Sequence, residues 1–178
     1  MTSERYRALR SWLEAHPAAK RCVVLLDHWL PLVPFVCYPV LLCLLNVRLF
    51  RLFGAQRQAA LDLMAEIAHS ILVPGLVFWG GTLLRDRLNR PRPYEQPGFE
   101  PLVRKETAGH SFPSRHALSA AVLTMVWLYF YPAVGCVMAV ITVLICAGRV
   151  LTGVHFVRDV LWGAALGFLL GYAGMWLL

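Results

Sequence analysis

The chain alternates long apolar runs with short clusters of Arg, Pro and Gly. A helix needs about 20 mostly apolar residues to cross a bilayer. The pattern predicts five such spans, at about residues 29–45, 65–84, 114–131, 133–150 and 158–178. The first span is the best part of a longer apolar segment, residues 22–49. Asp27 and His28 mark the edge of that span. The sequence therefore predicts an all-α integral membrane bundle of about five transmembrane spans.

The N-terminal residues show a different, amphipathic pattern. One helical face of residues 3–16 collects the apolar side chains Tyr6, Leu9, Trp12 and Leu13, and Arg side chains lie elsewhere. That pattern suits a helix lying in the membrane interface and ended by Pro17, although a frayed, solvated terminus fits the sequence equally well. We predict an N-terminal amphipathic or interfacial segment, 1–21, and a membrane-embedded domain, 22–178.

The last span carries a stripe of small residues, Gly163, Gly167 and Gly171. Such a stripe lets another helix approach closely. We favour packing within one chain over dimerisation, and the sequence leaves the oligomeric state open.

Composition and charge support the membrane assignment. Hydrophobic residues make up 58% of the 178 positions and charged residues 15%. The net charge is +7, and Lys and Arg are clumped between the apolar runs, which indicates anionic headgroups or a phosphorylated substrate. No segment combines basic and aromatic residues on a soluble helix, which argues against nucleic acid. The five cysteines lack ligand spacing, and the first residues do not resemble a removable signal peptide.

Three polar segments stand out: RDRLNRPRP from Arg85, SFPSRH ending at His116, and RVLTGVHFVRD from Arg149 to Asp159. The first two bound the one long polar loop, residues 85–113. Alternation of the spans brings all three segments to one membrane face. Together they suit phosphoryl transfer.

Each residue type has a physical reason to be there. The guanidinium groups of Arg85, Arg92 and Arg149 bind phosphate oxygens and remain charged, which removes the need for Mg²⁺. Ser114 and the backbone N–H groups at the start of the third span add donors to an anion. We therefore expect no metal and no cofactor.

Two histidines and a carboxylate complete the set. His155 and Asp159 are four residues apart and share a face if the last helix extends back that far. The carboxylate can then hold one ring nitrogen while the other attacks phosphorus. His116 can protonate the leaving oxygen and later activate water. Singly, such residues are more often interfacial polar residues or anchors; their joint occurrence in order favours a site.

These segments resemble the type 2 phosphatidic acid phosphatases, which share their site with vanadium haloperoxidases. The family pattern is Lys-x6-Arg-Pro, Pro-Ser-Gly-His and Ser-Arg-x5-His-x3-Asp, and the resemblance covers about residues 85–159. By position it implies attack by His155, acid/base work by His116 and orientation of His155 by Asp159. The resemblance implies phosphate binding by Arg85, Arg92, Ser114 and Arg149.

Three positions depart from that pattern. Arg85 replaces the usual Lys, which keeps the cation but changes its geometry. Arg115 replaces the usual Gly, and its side chain either contacts the substrate phosphate or points to headgroups. Gly148 replaces the Ser before Arg149 and removes a hydroxyl. We expect activity to survive all three.

The expected function is an integral membrane lipid phosphatase that works without a metal through a phosphohistidine. The alternative is a catalytically silent membrane protein that binds lipid phosphates. Undecaprenyl pyrophosphate, phosphatidylglycerophosphate and phosphatidate all fit as substrates. The resemblance suggests a bacterial plasma membrane protein with its site on the extracytoplasmic face, whereas the Lys and Arg count favours the opposite orientation.

Overall fold

Helices form most of the protein. The computed structural model describes residues 3–54 and 56–178. In chain order the helices are α1 (Ser3–Ala15), α2 (Pro17–Trp29), α3 (Leu32–Phe53), α4 (Arg57–Leu88), α5 (Arg115–Phe130), α6 (Pro132–Leu151) and α7 (Val157–Tyr172). A 3-10 turn, Pro93–Glu95, follows α4, and a π-helical turn, Ala173–Leu177, continues α7. The described residues include no strand, so the predicted all-α fold is confirmed.

Most of the predicted spans coincide with long apolar helices. Within the described ranges, four helical stretches are long and apolar enough to cross a membrane: Pro17–Phe53, Arg57–Glu95, Pro132–Leu151 and Val157–Leu177. The remaining predicted span, residues 114–131, is α5, which has only 16 residues. Large apolar side chains such as Phe50, Val143 and Leu169 are exposed on the bundle. A surface of this kind suits lipid better than water.

The first apolar segment forms two helices instead of one. α2 ends at Trp29 and α3 begins at Leu32, with Pro31 between them. Proline has no N–H to continue the hydrogen-bond ladder of α2. The predicted division at residues 21 and 22 falls inside α2, and it stays a prediction.

Residues 3–15 form α1, which packs on the bundle and is not a frayed segment. Tyr6 and Leu13 are buried against the rest of the protein. The Tyr6 ring stacks on Phe99 with centroids 4.4 Å apart. Its hydroxyl donates to the Leu151 carbonyl (3.3 Å) and accepts from the Leu102 N–H (3.0 Å). α1 therefore lies at the end of the bundle where α6 ends.

α5 is the central helix of the bundle, and every residue from Ala117 to Trp127 is buried. α7 crosses it through the glycine stripe. A Cβ on Gly167 would lie 2.4 Å from the Leu118 carbonyl oxygen, and one on Gly163 would lie 2.6 Å from the Ser114 carbonyl oxygen. Packing within the chain is thus confirmed. It fixes the starts of α5 and α7 side by side.

Candidate active site

The three predicted segments meet at one end of the bundle. Arg85 lies in the last turn of α4, Ser114 directly precedes α5, and Arg149 lies in the last turn of α6. Almost all predicted site residues are buried here, namely Arg85, Arg92, Ser114, Arg149, His155 and Asp159. His116 is half-buried and Arg115 is exposed. Buried cations at this density require an anion.

Arg92 is held by the loop between α4 and α5. Its Nε donates to the Gly109 carbonyl (2.9 Å). The Glu95 carboxylate accepts both the Arg92 N–H (2.9 Å) and the Gly109 N–H (2.7 Å). Gly109 has φ +63°, a conformation that favours glycine. The loop thereby fixes Arg92 through Nε and leaves its terminal nitrogens for a ligand.

A tight turn after α6 presents His155. Gly153 has φ +75°, and the N–H groups of Val154 and His155 both donate to the Arg149 carbonyl, at 3.2 and 3.1 Å. α7 begins only at Val157. The condition for a shared helical face, that the last helix extends back to His155, is therefore not met. The turn, not a helical face, brings the imidazole to the carboxylate and to Arg149.

Ser111 completes the support of His155, and the sequence analysis missed it. Its hydroxyl is fully buried and donates to Asp159 Oδ2 in a short hydrogen bond. His155 Nδ1 lies 3.5 Å from Ser111 Oγ and 3.8 Å from Asp159 Oδ2. Asp159 Oδ2 also accepts the Phe156 N–H at 3.1 Å. The Nδ1 side of the ring thus faces a serine and a carboxylate that are already joined.

Burial controls the charge of His155. Removal from water lowers the pKa of its imidazole, Asp159 acts in the opposite direction, and Arg92 and Arg85 lower the pKa further. The ring is therefore neutral at pH 7. A neutral imidazole has a free electron pair on one nitrogen, which a nucleophile needs.

Ser114 joins the second and third segments. Its N–H donates to the Asp159 carbonyl at 2.9 Å, so this group is not a free donor for an anion. Its hydroxyl is buried, has no hydrogen-bond partner among the described residues and does not cap α5. A buried hydroxyl without a partner is costly. Ser114 Oγ is thus available to a ligand in the pocket.

The other charged groups at this end of the bundle lie close enough to interact electrostatically with the site residues. His116 lies within reach of the charges of Arg149, His155 and Lys105. Arg85 lies within reach of Arg92 and Arg115. The sequence analysis did not assign Lys105 to the site, but partial burial and Arg149 lower the pKa of its ammonium group.

A cleft opens beside this pocket. Its volume is about 480 Å³, and it is lined by Tyr94, Phe99, Glu100, Pro101, Arg104, Lys105 and Glu106. Lys105 belongs to both the cleft and the cationic pocket. The cleft therefore offers room for the part of a ligand next to a bound phosphate.

Asp27 marks the edge of the first predicted span, and the sequence analysis did not assign it to the site. It is buried in α2, and its Oδ1 lies 3.3 Å from Arg149 Nε. Arg149 also donates from Nη2 to the Asp27 carbonyl at 3.2 Å. A charged residue inside an apolar segment is a functional candidate by default, so the signal was present.

The described residues show no group of three or more His, Cys, Asp or Glu side chains that could hold a metal ion. The acidic side chains near the pocket instead contact hydrogen-bond donors. Metal independence stays a prediction that a chelator can test.

Comparison with known proteins places this arrangement in a family. The model of the PAP2 superfamily matches residues 61–178. The chain is 37% identical to human sphingosine-1-phosphate phosphatase 2 over 108 residues, 56% of this chain and 27% of that protein. It is 39% identical to phosphatidylglycerophosphatase B of Bacillus subtilis (strain 168) over 106 residues, 53% of this chain and 51% of that protein. The chain thus spans about a quarter to a half of the length of these relatives.

Two solved structures share the fold. The Aquifex aeolicus LpxE structure superposes with a TM-score of 0.65 at 21% identity, covering 96% of this chain and 92% of that one. The Bacillus subtilis transmembrane PAP2-type phosphatidylglycerolphosphate phosphatase has a TM-score of 0.51 at 26% identity and covers 95% and 90%. With its apolar helices and its matched residues 61–178, this chain is an integral membrane protein and a member of the PAP2 superfamily.

Proposed function

We propose that the protein is a membrane lipid phosphatase that transfers a phosphoryl group from a lipid to His155 and then to water. The observation that carries this proposal is the buried His155, whose Nδ1 faces the hydrogen-bonded pair of Ser111 and Asp159 at an end of the bundle that also holds buried arginines. A nucleophile with an orienting group behind it and cations in front suits phosphoryl transfer.

In the first step the free ring nitrogen of His155 attacks phosphorus. The N–P bond forms as the bond between phosphorus and the lipid oxygen breaks. The negative charge of the bound phosphate favours a protonated His116, which burial and neighbouring cations disfavour in the empty pocket. His116 gives this proton to the departing oxygen, which leaves as the lipid alcohol or the shorter lipid phosphate. The proton on Nδ1 of His155 stays in place, stabilised by Ser111 and Asp159 as the ring becomes positive.

In the second step water attacks the phosphohistidine. His116, now neutral, accepts a proton from the water, the N–P bond breaks and inorganic phosphate leaves. Both steps use one acid/base group in opposite senses, which returns the enzyme to its starting state.

The arginines stabilise the charge on the transferring group. Arg85 and Arg149 are both buried within electrostatic reach of Arg92, which is also buried, and Ser114 Oγ adds a neutral donor. Phosphoryl transfer needs positioning and charge stabilisation far more than covalent help. Because three permanent cations supply that charge, we infer that the reaction needs no metal ion or other cofactor.

The substrate class follows from the position of the pocket at the end of apolar helices. A phosphate at the end of a lipid can reach it while the acyl or prenyl chains remain in the bilayer. Relatives named for sphingosine-1-phosphate and phosphatidylglycerophosphate support a phosphate monoester, and we add phosphatidate and undecaprenyl pyrophosphate as candidates.

Phosphate release from a panel of these four lipids in detergent tests the proposal. We expect turnover of at least one lipid, unchanged by EDTA or added Mg²⁺ and inhibited by vanadate, which adopts the geometry of the transition state. The His155→Ala protein should bind lipid phosphate without turnover. Turnover lost with EDTA and restored by Mg²⁺ would refute the mechanism. A wild-type protein that binds every lipid and hydrolyses none would instead support a silent phosphate-binding role.

Trapping distinguishes the two histidines. After rapid quenching with a radiolabelled substrate, the label should lie on His155. His116→Ala should still accumulate some labelled enzyme from a substrate with a good leaving group. Label on Ser114 or His116 would refute the assignment of roles.

We further propose that the site faces the extracytoplasmic side of a bacterial plasma membrane. A cysteine at exposed Glu106, in a chain whose five native cysteines are replaced, should react with an impermeant maleimide in intact cells. A cysteine at exposed Gln56, at the far end of α4, should react only after permeabilisation. The reverse pattern would place the site in the cytoplasm.

A further inference from the structure

We propose that Asp27 of α2 is a positioning residue that fixes the guanidinium group of Arg149 for phosphate binding. This inference rests on the proposed function, because Arg149 is there assigned to the transferring phosphoryl group. Asp27 lies outside residues 61–178, the part of the chain that matches the family model.

Asp27 and Arg149 are paired through one edge of the guanidinium group. Both are buried, with 7% and 4% of their surface exposed. Asp27 Oδ1 lies 3.3 Å from Nε, and the Asp27 carbonyl accepts a hydrogen bond from Nη2 at 3.2 Å. The Nε side is therefore occupied by α2. Nη1 and the second proton of Nη2 are left for a phosphate oxygen.

Two unfavourable free-energy contributions to phosphate binding are smaller when Arg149 is held in this way. An arginine side chain that is already fixed does not lose its rotamer freedom when the ligand arrives. The carboxylate also offsets repulsion among like charges, since Arg149 lies within electrostatic reach of Arg92 and Lys105. Without Asp27, Arg149 and its neighbouring cations would have no carboxylate beside them when no phosphate is bound.

Gly148 lies next to the place where Asp27 meets Arg149. A Cβ at this position would lie 3.6 Å from Asp27 Oδ1 and 3.7 Å from Asp27 Cα, which is ordinary contact. Gly148, one of the three departures from the family pattern, thus lies next to the carboxylate of Asp27. α2 and the end of α6 meet at the residue that precedes Arg149.

A purely structural ion pair is the competing explanation, and a double-mutant cycle separates the two. The cycle combines Asp27→Asn and Asp27→Ala with Arg149→Lys, which keeps the charge but has no Nε. Asp62→Ala, an exposed aspartate near the start of α4, is the matched control. The measurements are kcat and KM for a hydrolysed lipid phosphate, the Kd of vanadate, and the melting temperature.

In the wild-type background we expect Asp27→Ala to lower kcat/KM and weaken vanadate binding by about 10- to 100-fold, the range found when an orienting partner is removed. Asp27→Asn removes the charge but keeps a polar oxygen next to Nε, a contact that is an ion pair without hydrogen-bond geometry. It should lose less than about 10-fold. In the Arg149→Lys background the same changes should alter the vanadate Kd by less than about 3-fold, because the two residues act as a unit. Asp62→Ala should change none of these values.

Equal losses from Asp27→Ala in both backgrounds would overturn the proposal. A vanadate Kd per folded molecule that remains at the wild-type value while the melting temperature falls would also overturn it, because the pair would then be structural only. If the wild-type protein hydrolyses no lipid phosphate but its vanadate Kd responds as expected, the proposed function fails and the positioning role stands.

Discussion

Ser111→Ala tests whether the serine hydroxyl holds His155, the proposed nucleophile, in position. Ser111 Oγ is fully buried, donates to Asp159 Oδ2 and lies 3.5 Å from His155 Nδ1. A hydrogen bond to a charged group contributes about 1.5–3 kcal/mol. At about 1.4 kcal/mol for each tenfold change, its loss lowers the rate by roughly 10- to 150-fold. The contact between Ser111 Oγ and His155 Nδ1 strengthens as the imidazole ring becomes positive in the transition state. The loss should therefore appear in kcat more than in KM.

The assay is steady-state hydrolysis of a lipid phosphate in detergent, with the melting temperature measured on the same preparations. Ser119→Ala is the matched control, since its hydroxyl is also buried in the bundle but has no hydrogen-bond partner among the described residues. It should keep wild-type kcat. Full kcat in Ser111→Ala, or equal losses in both variants, would refute the reasoning.

Further predictions concern charge, pH and packing. Arg85→Lys keeps a cation and should retain activity within about tenfold. Arg149→Ala should lower kcat by about 100-fold or more, because the charge that develops in the transition state loses its partner. Equal severe losses in both variants would contradict this. Burial lowers the pKa of His155, so kcat should fall on the acid side only below pH 6.5. A limb centred above 6.5 would contradict the neutral nucleophile. A Cβ on Gly167 would lie 2.4 Å from a carbonyl oxygen, so Gly167→Ala should destabilise the protein by about 1–3 kcal/mol in thermal unfolding, whereas Gly80→Ala, with open space around it, should not.

The fold followed from the sequence wherever hydrophobicity alone determines it. Apolar runs and their breaks predicted α4 to α7 to within a few residues at most ends, and the glycine stripe predicted the contact between α5 and α7. The helix break at Pro31 was missed, because an apolar segment that turns within itself has the same hydropathy as one that spans. α4 begins earlier, at Arg57, because a polar first turn is not excluded from a membrane helix.

The site was predicted where charge and spacing recur together, and missed where the fold alone creates proximity. Arg85, Arg92, Arg149 and His155 stand out as ionisable residues at the ends of apolar runs. Ser111 does not, because a serine in a loop has no periodicity and its role depends on a carboxylate 48 residues away. Asp27 was visible as a charge but not as a partner of Arg149, which is 122 residues away.

The short central helix sets the depth of the site in the bilayer. The 16 residues of α5 rise about 24 Å, while the hydrocarbon core of a bilayer is about 30 Å thick. Near the far end of the bundle Trp176 stacks on Tyr172 and meets Tyr129 edge to face, and such rings favour the headgroup level. We therefore expect the shortfall of about 6 Å to fall at the start of α5, beside Ser114. On the proposed function, a lipid phosphate would then have to move below the headgroup plane to react, and its hydrolysis should depend on bilayer thickness.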